Sequence, residues 1–412
     1  MTLSRRDWLQ EMGSLAVGSA LPLTLRWPGG DPGFPRRDDF SIAEGFTYLN
    51  GAYTHPMPKV AAEAYRGMIG RRSTLAPATG AQFSRPPGDP RSAFAALINA
   101  KPSEISLIPN TSTGENLIVE ALGIPGGPGN VVTDALHFEG ALVHLFELRK
   151  AGLDLRVVDP RDGRIEMADL ERVVDGRTRL IEVSLVSMYN GFQHDLKAVC
   201  DLAHAHGAYV YADIIQGVGA VPVDVRATGV DFAASASYKW LMGDFGLGFL
   251  YVREGLLDGV LHRTHWSYES APDVDTHQSP FDPAHPQVVT YTPGTSTPEY
   301  FQLGTMAYGV LAALGASIPY IQALGVENIQ RWRQPMIDRL QAEMPRLGFT
   351  PQTPLGSTSP IVTFAHHDAD GITRKLQAAQ VDVRVAPYWM RISPSVYNDL
   401  HDVERLLEAL SR

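Results

Sequence analysis

The sequence predicts an α/β protein in which a large domain holds a mainly parallel seven-stranded sheet and a smaller α/β domain is attached to it. Three observations carry this prediction. Seven short, β-branched-rich apolar runs recur between residues 105 and 252. Segments with helical patterning separate them, and strand–helix alternation of this kind implies parallel strands covered by helices on both faces. Hydrophobic residues make up 44% and charged residues 19% of the chain, a balance that argues against disorder. At roughly 150 residues per domain, a chain of 412 residues has room for two or three domains.

Ser4-Arg5-Arg6-Asp7-Trp8-Leu9, followed by a weakly apolar run from Met12 to Leu25, resembles a twin-arginine export signal. Residues 1–25 are therefore read as an address to the Tat export machinery, which implies a periplasmic or otherwise exported protein. Residues 26–44, rich in Gly, Pro and Asp, read as a linker. With their N-terminal part joining the small domain, residues 45–300 are expected to form mainly the large domain. Its strands are expected at Ile105–Pro109, Val131–Asp134, Leu155–Val158, Leu180–Val186, Tyr209–Ala212, Phe232–Ala236 and Gly248–Val252. Helices are expected at Gly114–Leu122, Glu139–Ala151 and Leu196–His206. Ser270–Val288 reads as a long surface loop. Residues 301–412 supply connecting helices, broken near Gly315 and Gly325, and a small lobe that ends in the amphipathic Asp402–Leu410.

Charge and cysteine content exclude several classes. The formal charge is −10, from 45 acidic against 35 basic residues, so a phosphate-tracking nucleic-acid binder is disfavoured. The single cysteine, Cys200, rules out an internal disulfide and any multi-cysteine metal site. His204 and His206 are two apart on a helix and point to different faces, and His366-His367 has no recognisable ligand partner. No metal site is expected.

The chemistry concentrates between Tyr209 and Tyr251. Asp213 follows an apolar strand, where the carboxyl edge of a parallel sheet places ligands. Lys239 follows the next strand within Ser237-Tyr238-Lys239-Trp240, ahead of a Gly-rich turn. Singly, Asp213 reads as a helix cap and Lys239 as a surface lysine. Together they are what pyridoxal phosphate chemistry requires: a lysine for the Schiff base and an aspartate that keeps the pyridine nitrogen protonated.

On these residues the chain resembles the class V, fold-type I pyridoxal phosphate enzymes, the group of cysteine desulfurases, kynureninases and isopenicillin N epimerase-like proteins. The likeness runs from about Tyr48 to the C-terminus. It implies pyridoxal 5'-phosphate as cofactor and an obligate homodimer. Lys239 matches the Schiff-base lysine, Asp213 the ring-nitrogen partner and Gln216 the residue that bonds the ring oxygen. Thr111 and Ser112 match the phosphate turn, whose helix N-terminus suits a dianion, with Ser237 and Tyr238 completing the cup. His137 matches the ring-stacking position and is also read as catalytic; Phe138 is the alternative if the register slips by one. Thr295 matches the segment that reaches the partner subunit's phosphate. Arg391 matches the arginine that forks onto a substrate carboxylate, and Asn50, Gly51 and Ala52 the loop lining the substrate pocket.

The same likeness frames the reaction. A desulfurase needs a nucleophilic cysteine on a mobile C-terminal loop, whereas Cys200 lies on a helix ahead of Asp213. Persulfide-forming desulfuration is therefore not expected. The expectation is chemistry at the Cα of an amino-bearing carboxylate, of aminotransferase or epimerase type, on a peptide or secondary metabolite. Alternatives are a pyridoxal phosphate-dependent lyase, a siderophore-tailoring enzyme, or, from another class, a catalytically silent binding protein of this fold.

Overall fold

The computed structural model describes residues 33–74, 89–257, 259–273 and 291–412. Residues 1–32 and 274–290, which hold the export-signal reading and most of the long-loop reading, lie outside the described residues.

The large sheet is built from β2 (Ile105–Ile108), β3 (Asn130–Asp134), β4 (Asp154–Val158), β5 (Thr178–Ser184), β6 (Tyr209–Asp213), β7 (Phe232–Ala236) and β8 (Gly248–Val252). Each of the seven apolar runs forms one of these strands. Their order is β2-β8-β7-β6-β5-β3-β4. Pairings from β4 to β7 are parallel, while β8 runs antiparallel to both β7 and β2. β6, β7 and β8 are almost wholly buried, as strands covered on both faces must be. One apolar cluster fills the face against helices Pro90–Leu97 and Tyr308–Leu324, and a second the face against helices Thr111–Ala121 and Glu139–Lys150.

The C-terminal lobe has its own sheet. β9 (Thr350–Pro351), β10 (Val362–Ala365), β12 (Arg384–Val385) and β13 (Trp389–Ile392) pair antiparallel in the order β12-β13-β10-β9. Helices Val326–Glu343, Ala369–Ala378 and Leu400–Ser411 close a third apolar cluster around it. The N-terminal segment joins this lobe: β1 (Thr47–Tyr48) pairs in parallel with β11 (Val381–Asp382).

Two local readings change. The described part of the supposed linker is packed, not free. Phe40 is buried against His55, Tyr320 and Tyr397, and the Arg36 N–H donates to the Val396 carbonyl. Helix Tyr308–Leu324 also runs through Gly315 without a break and stops at Gly325, whose φ is +77°. A helical glycine costs only about 1 kcal/mol, and the buried face of this helix outweighs it.

Arg333, on helix Val326–Glu343, sits where the lobes meet. It is 1% exposed, faces the Trp240 ring and donates to the carbonyls of Ala220 and Thr358. Its Nε and Nη1 have no partner among the described residues.

Candidate active site

The carboxyl edges of β5, β6 and β7 bring the central residues together. Asp213 ends β6, level with Ser184 on β5 and Ala234 on β7. The Ile215 N–H donates to its Oδ1 at 2.9 Å, which aims the buried carboxylate. Burial pushes this carboxyl up, opposed by the Ile215 hydrogen bond and by the nearby His137 and Lys239 charges.

Lys239 follows β7 in a tight turn. Its carbonyl accepts from the Met242 N–H at 2.8 Å, and the Ser237 carbonyl from the Gly243 N–H at 2.9 Å. Burial lowers the Lys239 ammonium to about 8, with Asp213 opposing and Arg391 assisting. A lysine so poised is about one-tenth neutral at pH 7 and half neutral near pH 8, far more than a solvated lysine, which is what a nucleophile or base requires.

The opposite wall is the start of helix Thr111–Ala121. The Asn110 side chain caps it by accepting from the Thr113 N–H at 2.9 Å. Asn110, Thr111 and Ser112 line the pocket with Asp213, Tyr238 and Lys239. A helix N-terminus with two hydroxyls is a ready site for a phosphate. Beyond Lys239 the pocket opens into an antechamber of about 440 Å³, whose walls include Ala52, Tyr53, Tyr189, Arg384, Trp389 and Arg391. Arg391 is 3% exposed, donates to the Met188 carbonyl at 3.0 Å and keeps an Nε with no partner among the described residues. Burial, aided by Arg384, lowers its guanidinium to about 10.

Several residues stand elsewhere than the sequence suggested. Phe138, not His137, is on the pocket wall. His137 is fully buried behind it, with Nδ1 2.9 Å from the Ser184 hydroxyl, so the one-residue register slip describes the wall. The Ser237 hydroxyl is spent on the Asp244 carbonyl of its own turn. Gln216 lines the pocket, but its amide is engaged at both ends, by the Ala52 carbonyl and the Trp240 indole. Asn50 donates to Asp382 at 3.1 Å and faces a separate hollow. Gly51 allows close approach: a Cβ there would lie 3.2 Å from the Ser393 carbonyl and 3.3 Å from Trp240. Thr295 is exposed and outside this chain's pocket. Met188 stands on the pocket wall, while Asn190 braces its turn against the Gly163 carbonyl.

Tyr53, Tyr189, Arg384 and Trp389 were missed. The only hint was in the register: Arg384 and Arg391 are directly opposite across β12 and β13. Like charges so placed repel and ask for an anion, but strand pairing is invisible in a linear sequence.

The geometry defines a pyridoxal phosphate site of fold type I. The residues fit that cofactor: a partly neutral lysine, a buried carboxylate, a stacking ring and an anion-binding helix start converge on one pocket. The chain belongs to the class-V aminotransferase family, whose model matches residues 59–406. It is 30% identical over 311 residues to a probable cysteine desulfurase of Methanothermobacter thermautotrophicus, covering 74% of each chain. An apo cysteine desulfurase from Thermococcus onnurineus superposes with a TM-score of 0.77 at 24% identity, covering 92% of this chain and 98% of the other. The cystine C-S lyase C-DES, in complex with its reaction product cysteine persulfide, superposes at 0.75 with 21% identity, covering 89% and 97%.

These relatives correct the expected reaction. The curated relatives are named cysteine desulfurases, which contradicts the expectation of Cα transamination or epimerisation and overturns the exclusion of desulfurase chemistry. That exclusion assumed that the reacting sulfur must belong to this chain. Cys200 is buried and off the pocket, and burial pushes its thiol up to about 12. Persulfide sulfur can equally arrive with the substrate or with a second thiol.

Proposed function

We propose that the protein cleaves the Cβ–S bond of a cystine-type amino acid and releases the sulfur as a persulfide. The observation that carries this reading is the facing pair Arg384 and Arg391 on one antechamber, next to Lys239. Cystine has a carboxylate at each end, and two guanidiniums favour a substrate with two carboxylates. The desulfurase and cystine-lyase names of the relatives agree with sulfur as the leaving atom.

The cofactor, when bound, supplies an electron sink for the charge left at Cα. Arg391 grips the carboxylate at the reacting end, and Arg384 the one at the far end. Lys239, neutral in good part near pH 8, takes the Cα proton. Asp213 is placed to hold a proton on the ring nitrogen. Phe138 and Trp389 limit water around the reacting carbons. The Cβ–S bond then breaks with its electron pair on sulfur. Cystine and water give cysteine persulfide, pyruvate and ammonia.

The test is to supply cystine to the pyridoxal phosphate-loaded protein. Pyruvate and persulfide should appear in equal amounts, and Lys239→Ala should abolish both along with the visible absorbance of the bound cofactor. Absence of both products from cystine and from cysteine overturns the reading. Arg384→Ala should raise KM for cystine at least tenfold, while leaving that for a monocarboxylate S-alkylcysteine nearly unchanged.

We further propose that the chain is a homodimer exported by the Tat route. Arg5-Arg6 with its apolar run supports export. The exposed aromatics Trp266, Tyr268 and Tyr291 beside Thr295 support a second copy on that face. Cell fractionation and sedimentation test the two points separately.

A further inference from the structure

Behind the pocket wall lies a cluster that the reaction does not use. Glu115 on helix Thr111–Ala121, His137 after β3 and Glu182 on β5 each bring one ligand atom within 4.8 Å of the others. His137 and Glu182 are 0% exposed and Glu115 is 4% exposed. Both Glu182 oxygens and the His137 Nε2 have no hydrogen-bond partner among the described residues. His137 Nε2 lies 4.0 Å from Glu115 Oε2, too far for a hydrogen bond. No lysine or arginine among the described residues pairs with either carboxylate; the remaining contact is His144 Nδ1, 3.4 Å from Glu115 Oε1. Two buried carboxylates without a cation are costly, and the unpartnered His137 Nε2 and Glu182 oxygens share one small space with Glu115.

We propose that Glu115, His137 and Glu182 bind a divalent transition cation, zinc or manganese, as a closed structural site. Two carboxylates and an imidazole suit these ions. The surroundings have the form of an outer shell. The Ser184 hydroxyl, accepting from His137 Nδ1–H, turns the Nε2 lone pair toward the cluster, and His144 steadies Glu115. The ion would join helix Thr111–Ala121, through Glu115, to β5, through Glu182, behind the pocket wall that Ser184 helps to form. The sequence did not reveal the set, because its members come from three separate elements.

Elemental analysis of the untagged full-length protein, made with zinc or manganese supplied during expression, tests this. About one ion per chain is expected, lost in Glu182→Gln and in His137→Ala. Unfolding with chelator and refolding without metal should lower the thermal midpoint, and zinc or manganese chloride added during refolding should restore it. Wild-type protein free of metal, or metal content unchanged in both variants, overturns the proposal. So would a metal-free wild type that Glu182→Gln stabilises, for then the two carboxyls merely share a proton.

Discussion

Among the described residues Lys239 makes no ion pair, and its charge is set chiefly by three influences. Burial and Arg391 favour the neutral amine, and Asp213 favours the ammonium. In the apoprotein the amine should therefore titrate near pH 8, read from the pH dependence of its reaction with pyridoxal phosphate. Asp213→Asn should move that midpoint lower and Arg391→Ala higher; a shift of the same sign in both would reject the arrangement. Arg391→Lys should weaken every amino acid substrate tenfold or more, since an ammonium cannot fork onto a carboxylate, while cofactor uptake is kept. Asp213 and Lys239 were legible in the sequence because their chemistry fixes residue type and place at a strand end. His137 and Phe138 were not separable, since adjacent residues in a turn exchange wall and interior with a one-residue slip. That the Ser237 hydroxyl and the Gln216 amide already have partners within the protein is not visible in a linear sequence.

At the scale of elements, the seven apolar runs were readable because strands buried on both faces must be apolar along their length. The short strands of the C-terminal lobe and the arginine register were not, since two-residue pairings leave no periodicity. The turn carrying Lys239 is held from outside. Gly219 has φ +88°, and a Cβ there would stand 2.4 Å from the Trp240 carbonyl. Gly219→Ala should cost roughly 2 kcal/mol or more and loosen cofactor binding, as read by urea unfolding and cofactor titration. His55 braces the same turn: its N–H donates to the Tyr238 carbonyl, and its ring meets the Pro56 carbonyl at 2.7 Å and the Ser395 hydroxyl at 2.6 Å. Burial holds this imidazole down at about 4, the Pro56 carbonyl opposing. Between about pH 4 and 6.5 the unfolded chain then binds the extra proton. Stability is full above pH 6.5 and is lost as pH falls toward 4. The acid-induced drop in urea midpoint should shrink in His55→Gln.

For the whole molecule, Arg333 has a consequence for motion. Burial alone lowers its guanidinium to about 9, so the joint between the lobes covers a charge that no carboxylate among the described residues neutralises. Releasing the C-terminal lobe returns that charge to water, and Arg391 departs with the lobe. Undocking would expose Arg333 and carry Arg391 away together, so lobe docking and carboxylate capture are expected to be coupled. Arg333→Met, which removes the charge and keeps the bulk, should favour the docked form. Amino acids should then dissociate more slowly from this variant, and the Trp240 segment should exchange its amide hydrogens more slowly. A cation at the seam would then act as a wedge, gaining hydration whenever the two lobes part.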